Sequence, residues 1–257
     1  MFPISDDNPV RRTPIVTWVL MGACILAFLW QLSLGTLAER IIFALGVIPA
    51  SLFGYAELSP EIALVPPWAT MFTSMFLHGG WLHLGGNMLY LWIFGNNVED
   101  SMTRPRYLIF YLLCGVAAAL AQGLSAPRSE VPMIGASGAI AGVLGSYLIM
   151  HPRANVRVAL VFIVIVRVVN LPAMLVLGAW FVFQIVSGAA MPMSDEGGVA
   201  FWAHVGGFVA GMALTPFLKR REVRLLEPSH SRPWEISTPR RRSQFPEAGR
   251  GRRSPWE

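Results

Sequence analysis

Two short motifs hold the side chains best suited to covalent chemistry. Ser137 lies in the run I-G-A-S-G-A-I-A-G, residues 134–142, and His204 lies in A-H-V-G-G, residues 203–207. Small neighbours leave the serine hydroxyl uncovered and allow another helix to come close. A histidine within hydrogen-bond reach of such a hydroxyl activates it as a nucleophile. The two motifs therefore predict nucleophilic catalysis if Ser137 and His204 meet in the fold.

The same motifs also have a purely structural interpretation. The serine run does not fit the hydrolase elbow G-x-S-x-G, because residue 139 is alanine. A serine in a glycine-rich helix often serves helix packing, whereas a histidine inside a membrane favours function, since burying a titratable group there is costly. The glycines expected to allow close packing around the pair are Gly135, Gly138, Gly142, Gly207 and Gly211.

A second polar pair lies earlier in the chain. His83 and Asn87 are four residues apart, so they share one face of a helix, where both could donate hydrogen bonds to an oxyanion. The alternative is a polar pair that ties helices together. His78 precedes this helix and is expected to order a loop. A metal site is not predicted, because no carboxylate or thiol shares the face and the spacing fits no zinc pattern.

Composition places these motifs in a membrane protein. The 257 residues are 54% hydrophobic and 14% charged, and the mean hydropathy is +0.52, too apolar for a soluble chain of this length. Of the 20 Lys and Arg residues, 11 lie at or beyond Lys219. The basic charge therefore belongs mainly to a tail, which could attract anionic lipid, and nucleic-acid binding by the folded part is not indicated.

The apolar segments predict an all-α polytopic membrane protein with six spans, of which the fourth is short and follows a loop that dips into the membrane. A cytoplasmic segment, residues 1–13, precedes a membrane domain, residues 14–218, and a basic tail, residues 219–257, is expected to be disordered. The stretch from Val158 to the fifth span is expected to lie in the membrane interface. The predicted spans are Pro14–Leu34, Trp81–Asn97, Tyr107–Leu124, Ser137–Met150, Leu171–Ser187 and Phe201–Leu218.

Helix length predicts where the serine lies in the bilayer. The segment Ser137–Met150 would be roughly 20 Å long, against a hydrocarbon layer of ~30 Å. Its amino end should therefore begin inside the membrane, and the preceding loop must dip in to meet it. Counted from Gly198, His204 lies about six residues along, or roughly 9 Å below the outer face by the same rise per residue. Both side chains are thus expected at a similar depth, below the same face.

The distribution of short-loop arginines predicts the orientation. Cytoplasmic loops carry an excess of Lys and Arg. With the amino terminus inside, the outer loops hold only Arg40 and Arg128. We therefore expect both termini in the cytoplasm. The inner segments would hold Arg11, Arg12, Arg104, Arg106, Arg153 and Arg157.

These residues resemble the motifs of the rhomboid family of intramembrane serine proteases. The matching pieces are Gly135-Ala136-Ser137-Gly138, Ala203-His204-Val205-Gly206-Gly207 and His83-x-x-x-Asn87, in the family's order. The resemblance implies a six-helix bundle in a bacterial plasma membrane that cuts transmembrane segments of other proteins near their outer ends. It implies Ser137 as nucleophile, His204 as general base and acid, and His83 and Asn87 as oxyanion donors, without a cofactor.

One position departs from the family pattern, and other functions remain open. Many rhomboids carry Trp-Arg in the first outer loop, where this chain has Trp68-Ala69. A rhomboid-like protein that binds membrane segments without cutting them is the main alternative. A solute transporter would need paired charges or an inverted repeat inside the membrane, and neither is visible. The sequence indicates neither the substrate nor the oligomeric state.

Overall fold

A computed structural model of the chain describes residues 2–162, 165–190 and 199–228. Within these ranges nine α-helices form a bundle, and a small antiparallel sheet lies at one end of it. The helices are α1 Ile15–Ser33, α2 Ala38–Leu45, α3 Pro49–Leu52, α4 Pro67–Thr73, α5 Trp81–Asp100, α6 Arg104–Ser125, α7 Ser137–Met150, α8 Ala173–Ala190 and α9 Phe201–Leu218. The strands are β1 Phe2–Asp6, β2 Asn155–Phe162 and β3 Ile165–Pro172.

The six longest helices correspond to the six predicted spans. Four of them, α1, α6, α8 and α9, are long and apolar enough to cross a membrane, with mean hydropathies of 1.3 to 2.1 over their spanning windows. The protein is thus an integral membrane protein with a mostly helical bundle, as the sequence predicts. Helix α7 is apolar but has only 14 residues, and it begins at Ser137 and ends at Met150, as expected from its sequence.

Helix α7 forms the centre of the bundle. Eleven of its 14 residues are buried, which is possible because α5, α6, α8 and α9 all pack against it. Near the carboxyl end of α7, the hydroxyl of Thr215 on α9 donates a hydrogen bond of 2.7 Å to the hydroxyl of Ser146. Buried hydroxyl pairs of this kind fix the register of two helices, since neither oxygen can find water instead.

The amino end of α1 is held by a buried carboxylate of α5. Glu99 accepts hydrogen bonds from the backbone N–H groups of Val16 and Thr17, at 3.0 and 2.8 Å, and from the Thr17 hydroxyl at 2.8 Å. The first N–H groups of a helix have no partner within it, and they attract negative charge. Glu99 is only 4% exposed, so these bonds satisfy the carboxylate and attach α1 to the bundle.

A three-stranded antiparallel sheet, in the order β1-β2-β3, was not anticipated from the sequence. Strands β2 and β3 form a hairpin over residues expected to lie in the interface, and β1 pairs with β2 from the amino terminus. At the end of β1, Asp6 accepts hydrogen bonds from the Tyr147 hydroxyl at 2.6 Å and from Asn97 Nδ2 at 2.7 Å. Burial raises the pKa of Asp6 to about 6. The amino-terminal segment is therefore part of the folded body.

The first ten residues of the predicted tail also make defined contacts, so the expectation of disorder from residue 219 fails for residues 219–228. The backbone N–H groups of Leu226 and Glu227 donate to the carbonyl oxygens of Ile149 and Met150, at 2.9 and 2.8 Å. The Glu227 carboxylate lies 3.0 Å from His151 Nδ1. These bonds satisfy carbonyl groups that end α7. The rest of the predicted tail, residues 229–257, lies outside the described residues.

The long connection between α1 and α5 supports the loop that precedes α7. Val47 and Met133 form an antiparallel bridge, and the N–H of Ala50 donates to the Ser129 carbonyl at 2.9 Å. The N–H of Gly135 donates to the Ser74 carbonyl, also at 2.9 Å. Two irregular segments thus satisfy each other's backbone groups, as backbone within a membrane protein requires.

Candidate active site

Ser137 and His204 are in hydrogen-bonding contact. Ser137 is the first residue of α7, and His204 is in the first turn of α9. The distance from Ser137 Oγ to His204 Nε2 is 2.8 Å, which is normal for a strong hydrogen bond. The hydroxyl lies at a helix amino end, where free N–H groups and the helix dipole favour negative charge. The pair is thus arranged for proton transfer from serine to histidine.

Glycines bring α9 against α7. An ideal Cβ placed on Gly207 would fall on the carbonyl oxygen of Gly138, and one on Gly211 would fall on that of Gly142. Across the other side of α7, a Cβ on Gly138 would lie 2.5 Å from the Cβ of Ala118 on α6. Only glycine allows backbones to approach this closely. Four of the five predicted packing glycines therefore act in helix contacts at the Ser137–His204 pair.

Gly135, the fifth predicted packing glycine, has a different role. It precedes α7 and has φ of +124°, a backbone conformation that favours glycine. A Cβ there would lie 2.8 Å from both Cε1 and Nε2 of His83. Gly135 therefore packs the loop against an imidazole of α5, and not one helix against another.

His83 and Asn87 line the same cavity as Ser137. This cavity, of about 230 Å³, lies between α5, α7 and α8, and Trp180 forms part of its wall. His83 Nδ1 accepts the N–H of Gly79 at 3.3 Å, which leaves the proton on Nε2. Asn87 is 7% exposed, and its Nδ2 has no hydrogen-bond partner among the described residues. A buried amide donor without a partner is costly, so it is available for a ligand atom.

His78 orders the loop before α5, as the sequence suggests. Its backbone N–H donates to Gln31 Oε1 at 3.0 Å, and Gln31 Nε2 donates to the His78 carbonyl at 3.3 Å. These two bonds connect the loop to α1. Among the described residues, no group of three His, Cys, Asp or Glu side chains is placed to hold a metal ion.

Two residues of α8 contact His204, and neither contact was predicted from the sequence. Gln184 Oε1 lies 2.8 Å from His204 Nδ1, and the Trp180 ring lies 5.6 Å from the imidazole, centroid to centroid. On α6, Gln122 Oε1 accepts the N–H of Ala203 at 3.2 Å. The sequence does hold one indication of these contacts. Helices α6 and α8 each contain a single glutamine, and an amide inside a membrane requires a hydrogen-bond partner.

Comparison with known proteins identifies the family. A family model described as the Rhomboid domain matches residues 66–221, more than half of the chain. The chain is 28% identical over 202 residues to Rhomboid protease GluP of Bacillus subtilis, an alignment covering 77% of this chain and 34% of the relative. It is 29% identical over 165 residues to Rhomboid-like protein 11, chloroplastic, of Arabidopsis thaliana, covering 60% of this chain and 54% of the relative.

A fungal relative has a name that specifies the chemistry. Rhomboid-type serine protease 2 of Emericella nidulans is 29% identical over 152 residues, which cover 57% of this chain and 26% of the relative. The chain thus spans at most about half the length of these three relatives. The matched region contains α5 to α9 and all four polar residues of the site. The chain belongs to the rhomboid family.

Proposed function

We propose that the protein is an intramembrane serine endopeptidase that cuts transmembrane segments of other proteins near their outer ends. The observation that carries the proposal is the 2.8 Å contact between Ser137 Oγ and His204 Nε2. This contact opens onto a cavity that holds the unpartnered amide donor of Asn87. Relatives whose names include "protease" support the same chemistry.

The catalytic cycle follows from the positions of these groups. Ser137 Oγ attacks the carbonyl carbon of the scissile bond while His204 Nε2 takes the hydroxyl proton. The carbonyl oxygen becomes an oxyanion, which accepts hydrogen bonds from Asn87 Nδ2, His83 Nε2 and the backbone N–H of Ser137. His204 then gives its proton to the leaving amine, and water hydrolyses the acyl-enzyme by the same steps in reverse order. No cofactor takes part in this cycle.

The substrate is proposed to enter from the lipid past α8. A peptide bond within an intact helix is shielded by its own hydrogen bonds, so the segment must unwind before attack. Substrates with glycine or proline near the outer membrane boundary should therefore be cut faster. The distribution of short-loop arginines supports a topology with both termini in the cytoplasm. The bilayer and the substrate's own transmembrane segment are then the partners of the protein.

Cleavage of a tagged single-span reporter in liposomes tests the proposal. Wild type should cut the reporter, and Ser137→Ala and His204→Ala should not. Ser146→Ala is the matched control, because Ser146 is on the same helix but bonds to Thr215, so it should retain activity. A fluorophosphonate probe should label wild type but not Ser137→Ala. Folded protein that neither cuts nor reacts with the probe would favour a rhomboid-like module that only binds membrane segments.

A further inference from the structure

We propose that Gln184 is a positioning residue that sets the tautomer and orientation of His204; the proposal rests on the proposed catalytic role of Ser137 and His204. Gln184 lies on α8, one helical turn after Trp180. Its Oε1 atom is 2.8 Å from His204 Nδ1, and its side chain is only 4% exposed. The amide is therefore committed to the histidine and shielded from water.

The polarity of this contact decides where the imidazole proton lies. In the structure the amide oxygen of Gln184 faces Nδ1, and because this oxygen only accepts, His204 then carries its proton on Nδ1 and donates it to Gln184. Nε2 then has a free lone pair that faces the Ser137 hydroxyl, 2.8 Å away. The opposite tautomer would place two acceptors against each other at Nδ1, and Nε2–H would donate to the Ser137 oxygen instead of accepting its proton. The buried glutamine thus selects the tautomer that can act as a base.

The ring is also held in orientation by its neighbours on α8. Trp180 lies against one face of the imidazole, with the two ring planes inclined by 37°. Because Trp180 and Gln184 are four residues apart, both project from the same face of α8. One helix therefore supplies a ring contact and an in-plane hydrogen bond. The glutamine replaces the carboxylate that orients histidine in serine hydrolases with three catalytic groups.

A neutral acceptor has a chemical consequence. When His204 takes the serine proton, Nδ1–H remains bonded to Gln184 through the whole cycle, and no second proton moves. An amide holds the imidazole in place without adding a negative charge to a water-poor site, where an unpaired charge is costly. The gain is that of one neutral hydrogen bond, so its loss should reduce kcat by about tenfold.

The test compares three variants of the full chain in liposomes. Gln184→Met keeps the side-chain length but removes the amide, and should lower kcat by about tenfold with KM unchanged. Gln184→Glu keeps an acceptor oxygen, so its kcat should stay near that of wild type. The carboxylate also favours protonated His204, so the acid limb of the pH profile should move to higher pH. Ile185→Met is the control, because Ile185 is 38% exposed on the adjacent helix face. His83 is present in all of these variants, so its contribution to the pH profile is the same in each and does not affect the difference between them.

A second readout does not depend on activity. In Ser137→Ala protein, ¹⁵N spectra of histidine should show His204 with the proton on Nδ1, and the Gln184→Met change should convert this into a mixture of tautomers. The same single tautomer in folded Gln184→Met protein would overturn the proposal, whether or not the wild type cuts a reporter. An equal fall in kcat for Ile185→Met would overturn it as well, because the loss would then reflect packing of α8.

Discussion

The substitution Gly207→Ala tests whether the close approach of α7 and α9 sets the geometry of the Ser137–His204 pair. A Cβ at Gly207 falls on the carbonyl oxygen of Gly138, the residue that follows the nucleophile. The obstacle is backbone, so no side-chain rotation can accommodate the methyl group. Helix α9 must instead move away by about 1 Å to reach van der Waals separation. Overpacking of this kind costs about 1–3 kcal/mol of stability.

The same displacement acts on the chemistry. His204 is three residues before Gly207 on α9, so it moves with the helix, and its 2.8 Å bond to Ser137 Oγ is stretched beyond hydrogen-bonding distance. Misplacement of a catalytic group by about 1 Å reduces the rate by about 100-fold. We therefore expect kcat/KM of Gly207→Ala to fall by about 100-fold, while most of the protein stays folded at low temperature.

The assay is steady-state cleavage of the single-span reporter in liposomes, together with the thermal unfolding midpoint. Gly22→Ala is the matched control, because Gly22 is also a glycine within a span but nothing lies within 4 Å of its ideal Cβ. This control should retain wild-type activity and unfolding temperature. Activity of Gly207→Ala within twofold of wild type would refute the reasoning. So would an equal loss in Gly22→Ala, since helical glycine would then matter irrespective of contact.

Three further predictions concern other parts of the molecule. Asn87→Ala should lower kcat by about 100-fold or more at unchanged KM, because one oxyanion donor is lost; near-normal kcat would exclude Asn87 from that role. Thr215→Val should cost about 1 kcal/mol in thermal unfolding, because the bond to Ser146 is lost without a change in side-chain volume. Burial raises the pKa of Asp6 from 3.8 to about 6, so the folded state holds its proton more tightly and stability falls as pH rises through this window. The protection factors of the β1 amides, which are their exchange rates relative to the intrinsic rate at the same pH, should therefore be higher at pH 5 than at pH 7, and this difference should vanish in Asp6→Asn.

Much of the helical bundle could be predicted because each membrane span is a continuous run of apolar residues in the sequence. The bounds of α7 and α9 agree with the predicted ones, since charged or polar residues end each apolar run. The shortness of α7 was also predicted from the sequence, whereas the depth of Ser137 in the bilayer stays a prediction. Counting residues along each helix predicts that Ser137 and His204 lie at a similar depth in the bilayer. It does not predict which helix faces pack together, so the contact itself could not be derived from the sequence.

The sheet could not be predicted from local pattern. Residues 155–172 are rich in valine and run directly into α8. By hydropathy they therefore cannot be distinguished from an amino-terminal extension of the fifth span. Strand β1 has five residues, and seven helices, α1 to α7, separate it from its partner β2 in the sequence. Pairing over such a distance depends on the assembled bundle, which sequence periodicity does not contain.

Gln184 was missed for a related reason. A single glutamine in an apolar helix signals that a partner exists but does not identify it. Its partner, His204, is on α9, and only the crossing of α8 and α9 brings the two side chains to 2.8 Å. Asn87 was easier to recognise because it occurs with His83 at helical spacing. Two side chains that act together on one helix can be recognised from their spacing in the sequence, whereas two that meet between helices cannot.

The pairing of β1 with β2 has a consequence for membrane insertion. Two strands can exchange hydrogen bonds only when both lie on the same side of the bilayer, so the number of crossings between them must be even. The proposed spans α1, α5, α6 and α7 make four. During synthesis, residues 2–6 emerge first but must wait for residues 155–162 before they can pair. If one span failed to insert, β1 and β2 would lie on opposite sides of the bilayer. The sheet can therefore form only when all four spans have inserted.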